Sequence, residues 1–334
     1  MQTLTTRTAG DIRDSVLECI GETPLVRLGR FSESVGRTVL AKVEGANPGQ
    51  SAKDRIALSM VDAMERSGDL RAGGTVIETT SGNTGFALAM ICAVRGYRCV
   101  LCTNDKISSS KLTALRALGA EVEVCPSKVP AEDPRSYYER AKALQRATPN
   151  SVYINQYYHA GNALAHYRTT GPEVWRQSGG AVTHYVAPVG TGGTISGATK
   201  YLKQRNPLVR SIGIDAYGSV LTKYHETGEF DPDEIEPYLI EGVGKNIIPG
   251  NVDFDLIDDM VKVGDREAAH EARDLAKTEG LLVGYSSGAV LAGIRMIADE
   301  LPDDAVVVAL MSDHGCKYFD KIFDDAWMAE KGLL

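Results

Sequence analysis

The sequence predicts an α/β protein built on largely parallel sheet covered by helices. Short β-branched runs alternate with amphipathic helical stretches, the pattern of strands joined by crossover helices. The residues of unusual chemistry gather in Gly/Ser/Thr-rich turns where a strand runs into a helix, which is where open parallel sheets bind ligands. The length of 334 residues adds a third constraint: one large domain or two lobes of ordinary size, able to bury a core without disulfides or metal.

The strands expected are TVLAKVE (38–44), TVIETT (75–80), YRCVLCT (97–103), AEVEVC (120–125), SVYIN (151–155), THYVAPV (183–189), VRSIGIDA (209–216), MVKV (260–263) and AVVVALM (305–311). Between them AKDRIALSMVDAMERSG, SGNTGFALAMICAVRG, SSSKLTALRALG, RSYYERAKALQRA, GTISGATKYLKQR, DREAAHEARDLAKTEG and SGAVLAGIRMIADEL read as helices. The acidic HETGEFDPDEIEPY (225–238), with its Gly and two Pro, reads as a long surface loop. No repeat, low-complexity segment or long linker interrupts the pattern, so two lobes would be interleaved rather than tethered.

Hydrophobic residues make up 43% and charged residues 24%, the balance of a globular protein. A formal charge of −8 and the lack of a Lys/Arg run argue against nucleic acid as a partner. Nothing approaches the ~18 consecutive apolar residues of a membrane span, and MQTLTTRTAGDIRD has no signal-peptide core, so a cytoplasmic protein without membrane contact is expected. Cys99 and Cys102 form a C-x-x-C, but inside an expected strand they point to opposite faces. With no second pair to complete a zinc site, buried thiols and no metal are expected.

Four turns carry chemistry. In NPGQSAKDR (47–55), Asn-Pro-Gly makes a turn, Ser51 is a candidate helix N-cap and Asp54 its capping partner, which puts Lys53 in the first helical turn. The positive end of a helix dipole disfavours an ammonium there. That position suits either a tolerated surface Lys or one that must react as a neutral amine. TTSGNTG (79–85) follows a strand and opens a helix, presenting backbone N–H groups with Thr80, Ser81, Asn83 and Thr84, a cradle for a carboxylate or phosphate. It lacks the G-x-G-x-x-G of a dinucleotide fold and the Gly-Lys-Ser/Thr of a P-loop. VGTGGTISG (189–197) is a second cradle, with Thr191 and Thr194 hydroxyls at a helix N-terminus. VGYSSGAVLAG (283–293) is a third Gly/Ser turn, in which Ser287 reads equally well as a helix cap. Two cradles suggest a ligand with two anionic groups, or a phosphate beside a separate carboxylate substrate.

The ordered set N-P-x-x-S-x-K-D-R, T-S-G-N-T-G and G-T-G-G-T resembles the motifs of the fold-type II pyridoxal-phosphate enzymes, and more closely the cysteine synthase and cystathionine β-synthase branch, over nearly the whole chain. IGETPLVRL (20–28) is similar to the family's opening segment. Tyr157 after Gln156, Gly218-Ser219, and the ending DHGCKYFDKIFDDAWMAEKGLL lean toward cystathionine β-synthase catalytic cores. Lys245 in EGVGKNIIP departs from the Tyr common there, and Ala216-Tyr217 from the usual Pro-Glu. The haem-binding extension and the regulatory domain of animal homologues are not expected here.

The resemblance implies two three-layer αβα lobes with mainly parallel twisted sheets. Residues 1–47 plus 161–334 would form the large cofactor-binding lobe, and 48–160 a smaller mobile lobe. It implies pyridoxal 5'-phosphate as cofactor, Lys53 as its Schiff-base lysine and general base, and Asn83 on its ring oxygen. Gly190, Thr191, Gly192, Gly193 and Thr194 would bind its phosphate, and Ser286 would face its pyridine nitrogen. Thr80, Ser81, Thr84 and Gln156, with Tyr157 beside them, would hold the substrate. The implied reaction is β-replacement on L-serine or an activated serine by a thiol, homocysteine giving cystathionine, in a homodimer. O-acetylserine or O-phosphoserine with sulfide, an amine nucleophile kept open by Lys245 and Tyr217, and a non-catalytic binding protein on the same fold remain as alternatives.

Overall fold

The computed structural model describes residues 12–80, 82–130 and 132–334. Its strands are β1 (Leu25–Arg27), β2 (Thr38–Val43), β3 (Thr75–Thr79), β4 (Arg98–Asn104), β5 (Glu121–Cys125), β6 (Ser151–Tyr153), β7 (His184–Pro188), β8 (Arg210–Ala216), β9 (Asp259–Val263) and β10 (Val306–Met311). The α-helices are α1 (Gly29–Val35), α2 (Lys53–Ser67), α3 (Asn83–Arg95), α4 (Ser109–Ala117), α5 (Tyr137–Ala147), α6 (Gly161–Arg168), α7 (Thr170–Gln177), α8 (Gly193–Arg205), α9 (Leu221–Thr227), α10 (Asp265–Glu279), α11 (Tyr285–Met296) and α12 (Asp325–Glu330). Every strand expected from the sequence is present. The three-residue β1, too short to show alternation, and the helices α1, α6, α7, α9 and α12 are additions.

Two sheets result. One has the order β1-β2-β10-β7-β8-β9, parallel except for the antiparallel edge strand β1; the other, β5-β4-β3-β6, is parallel throughout. Parallel strands covered on both faces need apolar residues in alternation to both sides. In β10, Val307, Ala309 and Met311 join the core built with α10 and α11, while Val308 and Leu310 join the core built with α7 and α8. The smaller sheet divides likewise. Cys99 packs with α2 and α3 beside Cys92, whereas Cys102 lies with Ile77 and Ala141 of α5. The two thiols of the C-x-x-C therefore face opposite layers, and burial raises Cys102 to about 12.

The start of α2 differs from expectation. The cap position falls on Ala52, in helical conformation, and Ser51 accepts from the Lys53 N–H through Oγ at 3.3 Å. Asp54 reaches back to the Gly49 N–H, so it ties the turn to the helix instead of capping Ser51. The reason is that Ser51 is already engaged in a bridge to Asp313, which fixes its backbone outside the helix.

Beneath α2 lies a layer of buried charge. Arg55 bonds Glu44 through Nε and Nη2 (2.6 and 2.9 Å) and Glu173 through Nη1 and Nη2 (2.6 and 2.7 Å). Lys42 of β2 donates to Glu173 at 2.6 Å and to the Thr23 carbonyl at 2.6 Å. Against the desolvation that would raise them, Arg55 holds Glu44 and Glu173 below the usual carboxylate range. Two cations and two carboxylates cancel, so the layer joins α2 to β2 and α7 without leaving net charge inside.

Candidate active site

The turns singled out in the sequence meet at one cavity of about 280 Å³, at the carboxyl ends of β3, β6, β7 and β10. Lys53, Thr80, Asn83, Thr84, Gln156, Tyr157, Gly190, Thr191, Gly192, Thr194 and Ser286 line it. Gly193 stands just behind, opening α8. Ser81 lies outside the described residues. Tyr217 is exposed and away from this cavity, so of the two departures only Lys245 bears on the site.

Lys53 opens α2 with its amine directed into the cavity. Burial lowers the amine from 10.5 to about 8; Asp313 and Glu44 pull it upward and Lys245 pushes it further down. At pH 7 about a tenth of such an amine is neutral, against about 1 in 3,000 for an ordinary lysine. Partial loss of the proton is what nucleophilic and general-base work by Lys requires.

The first cradle surrounds the start of α3. Thr84 Oγ1 donates to Gln156 Oε1 at 2.6 Å, and Thr80 Oγ1 accepts from the Gly82 N–H at 3.2 Å. Gln156 is fixed by its backbone: its N–H donates to Glu78 at 3.1 Å, and its carbonyl accepts from Asn162 and Asn251 at 2.8 and 2.9 Å. Burial lifts Glu78 to about 7 against the N–H groups that it accepts. Asn83 Nδ2 donates to Asp313 at 2.8 Å and Oδ1 accepts from Lys317 at 2.7 Å. An amide nitrogen carries two hydrogens, so one more can be donated.

The second cradle is the turn from β7 into α8. Gly192 has φ +87°, a left-handed conformation open to glycine, and Asn162 Oδ1 occupies the space that a Cβ on Gly193 would need. The first intrahelical bond runs from the Ser196 N–H to Gly192 O, which leaves the N–H groups of residues 193–195 without helical partners. Thr191 and Thr194 add hydroxyls, seated on Asn162 (3.1 Å) and His166 (3.1 Å). Ser286 lies in the first turn of α11 and lines the cavity. Ser287 turns away and accepts from the Ser312 N–H at 3.0 Å, a structural bond.

Several cavity residues escaped the sequence reading: Lys111, Glu241, Lys317 and Tyr318. Asp313, directly behind Asn83, also accepts from Tyr318 at 2.8 Å and is raised by burial. The signal was present in DHGCKY, which contributed a resemblance without a role.

A cavity at the carboxyl ends of strands from two sheets, with a lysine amine lowered to about 8 and two Gly/Thr-rich turns that open helices, has the groups to hold small anionic ligands beside a reactive amine. The chain belongs to the family described as pyridoxal-phosphate dependent enzyme, whose model matches residues 16–313. It is 40% identical over 325 residues to cystathionine beta-synthase of Apis mellifera, covering 97% of this chain and 64% of that protein. It is 38% identical over 323 residues to cysteine synthase 1 of Emericella nidulans, covering 96% and 87%. Among solved structures, that of O-ureido-L-serine synthase superposes with a TM-score of 0.86 at 34% identity, covering 95% of this chain and 99% of that one. The chain spans under two thirds of the length of the cystathionine beta-synthases it matches.

The residues present fit the family's cofactor. Unpaired N–H groups at α8 with two hydroxyls suit a phosphate, and a lysine of lowered pKa in the same cavity suits an aldehyde.

Proposed function

We propose that the protein catalyses β-replacement on L-serine or an activated serine, with a thiol as nucleophile. The observation that carries this reading is the meeting of Lys53, its amine lowered to about 8, with two separate anion cradles in one cavity. One cradle, Gly190–Thr194, would hold the cofactor phosphate. The other, Thr80, Ser81 and Thr84 with Gln156, would hold the substrate carboxylate, and Asn83 and Ser286 would bond the cofactor ring. Residues 48–160 are taken as a smaller, mobile lobe, which carries Lys53 and the carboxylate cradle, and 1–47 with 161–334 as the large lobe.

When bound, pyridoxal phosphate supplies an electron sink conjugated to the substrate's α-carbon. The carboxylate cradle orients the Cα–H bond, an entropic gain made by Thr84 and Gln156, which are already bonded to each other. Lys53 removes the α-proton in its neutral state and, as ammonium, donates a proton to a hydroxide leaving group. Ser286 would offer the ring nitrogen a hydroxyl rather than a carboxylate. That arrangement weakens the sink and favours loss of a β-substituent over transamination.

Plain serine with homocysteine, giving cystathionine, is the first form of the reaction, supported by the resemblance of 40% to the bee cystathionine beta-synthase. The likeness to a cysteine synthase supports a second, with O-acetylserine or O-phosphoserine and sulfide giving cysteine. The test is an absorbance titration of the cofactor-loaded protein with each donor, followed by homocysteine or sulfide and mass spectrometry of the products. Cystathionine from plain serine establishes the first form. Cysteine from activated donors alone establishes the second, and no product from any pair refutes β-replacement.

A further inference from the structure

Four lysines line the cavity, and three have a chemical account. Lys111 is paired with Glu241, which Lys321 also meets. Lys317 donates to Asn83 and to the Gly49 carbonyl, with Asp313 as the carboxylate beside it. Lys53 has its amine lowered for chemistry. Lys245 has none of these arrangements: among the described residues it makes no ion pair, and its Nζ donates to the hydroxyl of Tyr157 at 3.2 Å and stands 5.2 Å from that ring.

Its backbone is pinned. The Lys245 N–H donates to Ser219 Oγ at 2.9 Å, and Ser219 Oγ donates back to the Lys245 carbonyl at 3.1 Å. The preceding Gly244, at φ +71°, packs against Ser219 and Tyr238. The side chain is thus delivered to one place, against Tyr157 and on the cavity wall.

The donor arithmetic then points one way. An ammonium that gives one hydrogen to a phenol keeps two, and the phenol, whose oxygen accepts, keeps its own proton to give. Lys245 and Tyr157 together bring three remaining hydrogens and a positive charge to the cavity wall, against one spare lone pair on the phenol, a donor-rich set suited to an oxyanion. It adjoins the cradle of Thr80, Thr84 and Gln156 through Tyr157, while Lys245 itself belongs neither to that cradle nor to the Gly190–Thr194 turn. Tyr157 and Tyr137 are also walls of a neighbouring cavity of about 640 Å³, which gives room for a group extending past the reacting carbon.

We infer that Lys245 is a specificity-determining residue that receives an anionic group carried beyond the β-carbon, a carboxylate on the incoming thiol or a phosphate on the leaving group. The inference rests on the β-replacement reading above and names the class of second group that site takes.

The test compares the holoenzyme with its Lys245→Met and Lys245→Arg variants in two arms. In one, 3-mercaptopropionate is set against 2-mercaptoethanol with the same serine donor. In the other, O-phosphoserine is set against O-acetylserine with 2-mercaptoethanol. Lys245→Met is expected to raise KM for the anionic member of one arm by about 10- to 100-fold more than for its neutral partner, and Lys245→Arg to restore part of that difference. The arm that responds identifies the source of the anion. Equal losses for charged and neutral members, no loss in either arm, or a variant that releases pyridoxal phosphate in a fluorescence titration would each overturn the inference. Calorimetric binding of 3-mercaptopropionate and O-phosphoserine needs no turnover. Lys245-dependent binding of either one without product sinks β-replacement and keeps the inference, whereas turnover with no dependence on Lys245 does the reverse.

Discussion

The charged layer under α2 and the cavity above it use the same residue types to opposite ends. Below, Lys42, Arg55, Glu44 and Glu173 satisfy one another at 2.6–2.9 Å, and the carboxylates are held below their ordinary range. Above, Lys53 and Lys245 line the cavity with no carboxylate bonded to either among the described residues, and Lys53 falls to about 8. A single residue, Asp54, separates Lys53 from Arg55 on one helix. The lesson is that buried charge is tolerated where it is paired, and that leaving it unpaired nearby, at a cost in stability, creates reactivity.

Removing the reactive amine breaks the upper half of this contrast. Lys53→Met should abolish the visible chromophore of the cofactor-loaded protein and lower turnover by at least about 10³-fold. Breaking the lower half should cost fold stability: Arg55→Met leaves Glu44 and Glu173 buried beside too little positive charge and is expected to destabilise by about 3–5 kcal/mol in urea unfolding. If that variant unfolds at the wild-type urea concentration, the layer does not anchor α2.

The same Lys53→Met change has the opposite sign for stability of the cofactor-free protein. The unfolded chain holds the lysine proton up to about 10.5 and the folded amine releases it near 8. The unfolded state therefore binds more protons between those values, and wild-type stability rises with pH across that window relative to the variant. The variant should be more stable by about 3 kcal/mol at pH 7, an advantage that shrinks by pH 10. A constant difference across pH would show that Lys53 is not desolvated. The smallest effect belongs to Lys245→Met, which breaks no ion pair among the described residues but loses the bond to Tyr157, and should shift unfolding by no more than about 1 kcal/mol; a larger loss would mark Lys245 as structural.

Much of this was legible in the sequence because it lies in local pattern. The strands of both sheets followed from β-branched runs, and the two cradles from Gly/Thr-rich turns that each open a helix. The pairing of layers was not legible. Glu44, Arg55 and Glu173 meet across up to 131 positions of chain from Lys42, and nothing local marks such a partnership. Asp313 and Glu241 enter the site from loops and Lys317 from a short 3-10 helix (Gly315–Tyr318), segments whose motifs carry no period. Helices α6 and α7 were missed because GNALAHYRTTGPEVWRQ reads as broken by Gly171 and Pro172. The chain breaks earlier, at Thr169, and Gly171 and Pro172 stand in the first turn of a second short helix. The Ser51 cap misled because its side chain does bond into the first turn, while its backbone is held by the bridge to Asp313.

The claim on which the rest stands is that Lys53, alone among four cavity lysines, carries the cofactor. Borohydride reduction of the holoenzyme, followed by digestion and peptide mass spectrometry, tests it directly. The account predicts a phosphopyridoxyl group on the peptide that contains Lys53. The same group on Lys111, Lys245 or Lys317 would contradict it.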